Sequence, residues 1–104
     1  TDEISKATFD KTVKEYKDFK DLDKQNLRDH MDDLELILTM LGEATTTRLT
    51  QDRDSQKFQE LHKDANDGGS VAGIAKDEIE KKLGKPVVSR KNFLKLNKIH
   101  DLKP

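Results

Sequence analysis

Cysteine is absent from the chain, which excludes a disulfide framework and any thiolate-bound metal. The same absence accords with a reducing, cytoplasmic setting. No apolar run approaches the roughly 18 residues that a membrane span requires, so no membrane association is expected. The opening residues lack the basic, apolar and small-residue order of a secretory signal. The first residue is Thr1 in place of Met, as expected of a piece cut from a longer protein. Apolar residues are scarce, 32% of the chain against 39% charged, where globular domains run at about 45–50% apolar and 25% charged. With 104 residues there is one domain at most. Its core must be thin, or completed by a second copy or by a domain outside this sequence.

The constellations of catalysis and metal binding are missing too. His30, His62 and His100 stand far apart, and no two have the i, i+4 spacing of a helical zinc motif. Thr45-Thr46-Thr47 has no adjacent base to activate a hydroxyl. Asp29, Asp32 and Asp33 lack the alternation and central glycine of a calcium loop. They read as acids at a helix start, where the dipole favours negative charge. Gly68-Gly69-Ser70-Val71-Ala72-Gly73 invites a phosphate-loop reading, but a helix precedes it and the required Lys-Ser/Thr pair is lacking. It reads instead as a turn between helices. No enzyme activity and no cofactor are expected.

What is present is helical periodicity. Ser5 or Thr8 can cap a first helix with Phe9, Val13 and Tyr16 on one stripe, and Asp21-Leu22-Asp23 reads as a connection. The second helix carries Leu27, Met31, Leu34, Leu38 and Leu41 at steps of three and four, and runs to about Thr50. Leu36, Ile37, Met40 and Ala44 widen its stripe to most of the circumference, which calls for cover by other helices or a second subunit. Leu34, Ile37, Leu38 and Leu41 are therefore the candidate self-association residues. Gly42 costs this helix about 1 kcal/mol relative to alanine, and the close approach of a neighbouring helix would compensate.

After a polar break at Gln51-Asp52-Arg53-Asp54, a third helix from about Ser55 to Asn66 is expected to bury Phe58, Leu61 and Ala65. Asn66-Asp67-Gly68-Gly69 is its expected stop. Ser70 would cap a fourth helix over about Val71–Leu83, with Val71, Ile74 or Ala75, Ile79 and Leu83 inward, ended by Gly84 and Pro86. Val87-Val88 is expected as an extended segment on the helices, and Ser89 as the cap of a last turn through Phe93 and Leu94. The expectation is an all-α fold: a compact bundle of about four helices over residues 1–94, with a short extended segment and a flexible basic tail at 95–104.

Charge is unevenly spread. From Lys81 to Pro104 eight basic side chains face the single Asp101, a net of +7, so the first eighty residues carry −8 of a total of −1. Such a split points to a polyanionic or acidic partner for the tail, or to an acidic body folding back on it. Arg90, Lys91, Lys95 and Lys98 interleave with Phe93, Leu94, Leu96 and Ile99, so they are the candidate nucleic-acid or partner contacts.

Leu34–Thr47, Asp54–Phe58, Gly68–Ala75 and Gly84–Leu94, in that order, carry a resemblance. Together they resemble the C-terminal region of bacterial DNA-damage-inducible protein D and of the related BRO-domain, prophage antirepressor-like proteins, over residues 27–94. The resemblance implies a cytoplasmic protein of the DNA-damage response or of mobile elements, with a protein partner in DNA repair or phage regulation. In that family a separate N-terminal domain is taken as the DNA-binding part, and the damage-inducible member is associated with control of the recombinase filament. That domain lies outside this sequence, and the family transfers no functional residue to numbered positions here. The expected function is a helical interaction and oligomerisation module, a homo-oligomer. The alternative is a nucleic-acid-binding module acting through its basic tail.

Overall fold

In the computed structural model, which describes residues 2–89, the fold is all-α with no strand among those residues. Helices α1 (Asp2–Phe9), α2 (Val13–Phe19), α3 (Asp33–Arg53) and α4 (Phe58–Leu83) follow in order, with a 3₁₀ turn at Leu27–His30 before α3. None is long and apolar enough to cross a membrane.

The expected first helix is two helices. Asp10 adopts a left-handed backbone, φ 62°, which ends α1, and a short polar side chain tolerates that conformation better than most. Thr12 restarts the chain with a reciprocal cap. Its hydroxyl accepts from the Glu15 amide at 3.2 Å, and the Glu15 carboxylate accepts from the Thr12 amide at 2.8 Å. The expected second helix likewise starts later. Leu27 and Met31 belong to the 3₁₀ turn and its end, and Asp32 caps α3 through the Glu35 amide at 3.1 Å. Thus one of the aspartates at this helix start is its cap.

The largest correction concerns Gly68-Gly69. These glycines do not stop a helix; α4 runs through them unbroken, and Ser70 donates back to the Asn66 carbonyl at 2.7 Å as an interior helical residue does. Packing explains it. A Cβ on Gly69 would lie 2.6 Å from the Ala7 Cβ and 2.7 Å from the Ile4 carbonyl oxygen, and one on Gly73 would lie 2.6 Å from the Ala7 carbonyl oxygen. A Cβ on Gly68 would meet the Thr46 amide nitrogen at 2.7 Å. Small residues let α1 and α3 press backbone to backbone on α4. The Thr8 hydroxyl, buried in that contact, donates to the Gly69 carbonyl at 3.0 Å. Gly42 is less tightly met, by side chains and not backbone, with the Ile4 Cγ2 at 3.0 Å and the Thr8 hydroxyl at 3.3 Å from its Cβ position.

This approach rotates α4 relative to expectation. Ala65, Gly68, Gly69, Ala72 and Gly73 face inward, while Val71, Ile74 and Leu83 are exposed. Phe58, 80% exposed, and Leu61 are outside as well, because the described chain places no element over the first turn of α4. The apolar core gathers elsewhere, from Phe9, Tyr16, Leu22, Leu27, Met31, Leu38 and Val87. Phe9 and Tyr16 meet edge to face at 5.0 Å. His30 is largely buried. Val87 packs on the helices as expected, but in a bend and not as an extended segment, its amide donating to the Glu80 carboxylate at 2.9 Å.

If close packing sets these glycines, Gly68→Ala should destabilise. Alanine gains about 1 kcal/mol of helix propensity, but overpacking against Thr46 costs about 1–3 kcal/mol. The net expectation is a lower urea midpoint; a raised one would refute the packing account.

Candidate functional site

Strongly perturbed ionisable groups mark active sites when a substrate can reach them. The most perturbed cluster here is sealed. Tyr16, Lys20 and Glu35 are each fully buried. The Tyr16 hydroxyl donates to Glu35 Oε2, and Lys20 Nζ donates to Glu35 Oε1 at 3.0 Å and to the Ser89 carbonyl at 2.8 Å. Burial pushes the Glu35 carboxyl above its ordinary value, against the pull of the Tyr16 and Lys20 hydrogen bonds. Burial, and then the Glu35 hydrogen bond, raises the Tyr16 phenol. Closed to solvent, the cluster ties α2 and the 87–89 segment to the start of α3.

A second cluster clasps the turn end of the hairpin that α3 and α4 form. Arg53 reaches Asp64 at 2.8 Å and Asp67 at 3.0 Å, and Thr50 donates to Asp64 at 2.9 Å. Hydrogen bonds from Ser55, Arg53 and Thr50 hold the Asp64 carboxyl below its ordinary value, and Arg53 and Lys63 do the same for Asp67.

Two open surfaces stand out among the described residues. The first is a cleft of about 390 Å³ among α1, α2, the 3₁₀ turn and α3. Ile4, Phe9, Val13, Leu27 and Met31 form its apolar floor, and Lys17, Lys24 and Arg28 are its basic lining. Arg28 bonds Glu43 at 2.6 Å across one edge, with both side chains substantially exposed. The break at Asp10 folds Val13 back over α1 to make this hollow. In sequence, Phe9 and Val13 had the spacing of a single core stripe, which hid the cleft.

The second surface is the outer face of α3. Ile37, Met40, Leu41 and Ala44 fall at i, i+3, i+4 and i+7, and all four are exposed, Ile37 at 58% and Met40 at 52%. Contacts of Gly42 with Ala72 and of Thr46 with Gly68 make α3 and α4 antiparallel. Leu41 and Val71, each one residue before the Gly42–Ala72 contact, therefore share the hairpin face turned away from α1. Of the four residues expected to self-associate, Leu38 is only 2% exposed within the single chain and Leu34 packs against the core. Those two are taken by the chain's own fold, because α2 and the 87–89 segment close over the start of α3. Ile37 and Leu41 remain outside. Arg90, Lys91, Lys95 and Lys98 lie outside the described residues.

Compared with family models, curated proteins and solved structures, the chain matches none.

Two outcomes follow from the buried charges. Lys20→Met strands the Glu35 carboxylate and should cost about 3–5 kcal/mol, whereas the Lys20→Met/Glu35→Met pair should recover part of it. A pair no more stable than the single variant in urea unfolding would show that the two are uncoupled. The second concerns pH. A depressed carboxyl contributes stability that is complete above the unfolded value of about 3.9 and is lost as pH falls through the folded value. Asp64→Asn should therefore lower the thermal midpoint at pH 7, with the gap to the parent closing below about pH 4. Glu35 has the opposite sign: its raised value means that acidification from neutral pH favours the folded state. An Asp64→Asn gap unchanged between pH 7 and pH 3 would contradict the assignment.

Proposed function

We propose that this chain is a non-enzymatic helical interaction module that pairs with a second copy of itself through the outer face of α3. We place it in a cytoplasmic protein of the DNA-damage response or of mobile-element regulation. The observation that carries the pairing is the exposed apolar stripe Ile37, Met40, Leu41 and Ala44, with Val71 on the same side of the hairpin as Leu41. A chain with 32% apolar residues leaves these outside while it buries a lysine and a glutamate. Contiguous exposed apolar surface of this kind marks interaction sites. In a two-fold pairing the same stripe serves both partners, so its pattern needs no complementary face elsewhere. The cellular setting is supported by the resemblance over residues 27–94 to DNA-damage-inducible protein D and BRO-domain proteins.

Sedimentation equilibrium tests the pairing. The parent chain should self-associate at high concentration, and Ile37→Glu/Leu41→Glu should leave it monomeric with its helical circular dichroism intact. Leu38→Asp should instead unfold the domain, since an uncompensated carboxylate would be buried. A strictly monomeric parent would end the proposal.

A further inference from the structure

We infer that the cleft between α1, α2, the 3₁₀ turn and α3 is a docking site for an acidic, leucine-rich peptide segment of a partner protein. This site is distinct from the α3 face proposed for self-association. The hollow of about 390 Å³ has an apolar floor of Ile4, Phe9, Val13, Leu27 and Met31, a size and lining suited to a few inserted side chains. Its polar neighbours are already occupied. Thr8 donates to the Gly69 carbonyl, Ser5 to the Lys11 carbonyl at 2.7 Å, and Thr39 to the Glu35 carbonyl at 2.9 Å. Asn26 accepts from the Arg28 amide at 3.0 Å. Apart from the Asn26 side-chain NH2, the groups left to donate to a ligand are the charged ones.

Those charges are Lys17, Lys24 and Arg28, against the single carboxylate of Glu43. Lys17 and Lys24 make no ion pair among the described residues, and Arg28 bonds Glu43. The three cations come from three successive stretches of chain: α2, the connection after it, and the 3₁₀ turn. Such a spread suits several carboxylates along a segment better than the one head group of a small anion. Charge also argues against the chain's own end as occupant, because residues 90–104 carry Arg90, Lys91, Lys95, Lys98 and Lys103 against Asp101. Nor does the floor suit an unpaired nucleic-acid base. Its only ring, Phe9, is 4% exposed, with Tyr16 against it, so it presents no stacking platform.

The chain's two methionines separate this inference from the self-association reading, since Met31 lines the cleft and Met40 lies on the outer face of α3. With methyl-labelled methionine in the 104-residue chain, titration with a short peptide of Glu, Asp and Leu should shift the Met31 resonance to saturation and leave Met40 in place. Lys17→Glu/Lys24→Glu should weaken that binding by roughly tenfold or more, and added salt should weaken it in the parent. The two substitutions lie on exposed or half-buried side chains, and an unchanged Met40 resonance confirms an intact fold. Shifts confined to Met40, equal binding of a Lys-Leu peptide, or indifference to the charge reversal would overturn the inference. So would saturation of Met31 by a medium-chain fatty acid with no response to the peptide, which would make the cleft a small-molecule pocket.

Discussion

The approach of α1 to the α3–α4 hairpin, backbone against backbone, positions every other part of this molecule. Gly68, Gly69 and Gly73 lack the Cβ atoms that would collide with the backbone of Thr46, Ile4 and Ala7, so α3 and α1 each meet α4 with almost no side chain between them. Such a contact buries little apolar area per residue. It relies instead on close van der Waals contact between backbones and on the buried Thr8-to-Gly69 hydrogen bond. It also fixes which way α4 faces. With its small residues turned inward, Val71, Ile74 and Leu83 are turned out.

A chain so poor in apolar residues joins α2, the start of α3 and the 87–89 segment with polar atoms. Glu35 is the hinge of that arrangement. It takes part in the cap of α3 with Asp32, receives Tyr16 and Lys20 inside the core, and through Lys20 is joined to the Ser89 carbonyl. The charges are expensive to bury, yet every partner is hydrogen-bonded, and among the described residues no buried side-chain polar atom lacks a partner. A network of that kind defines one geometry for α2 against α3, and the cleft beside it inherits that definition. The cleft and the bare face of the α3–α4 hairpin follow from these two contacts. Breaking α1 from α2 at Asp10 opens the basic-rimmed hollow on one side, and rotating α4 leaves Leu41 and Val71 bare on the other.

The three-and-four spacing of leucines from Leu34 to Leu41 was enough to give the body of α3, because that signal lies within a few residues; its start, capped by Asp32, falls later than the leucine and methionine spacing from Leu27 suggested. The polar break at 51–54 marked the end of α3. Local reading failed at Gly68-Gly69, taken as a stop, and at Asp10, where a left-handed aspartate ends α1; left-handed Asp21 and Asp54 follow α2 and α3. Only Gly84 serves as the expected glycine stop. Aspartate tolerates that conformation without advertising it, since most aspartates in a charge-rich chain are ordinary surface residues.

By itself, then, the sequence determined that the protein is helical, where its longest apolar stripe lies, and that its charge is divided between body and tail. These are properties of composition and of neighbours along the chain. Only the tertiary structure decided that Gly68-Gly69 is the middle of a helix, that Leu38 is core while Ile37 is surface, and that Lys20 is buried. Each of those outcomes depends on what residues far away in sequence press against, Ala7 on Gly69 or Glu35 on Lys20. A glycine's intrinsic flexibility and a lysine's preference for water are both overridden once such a partner is in place.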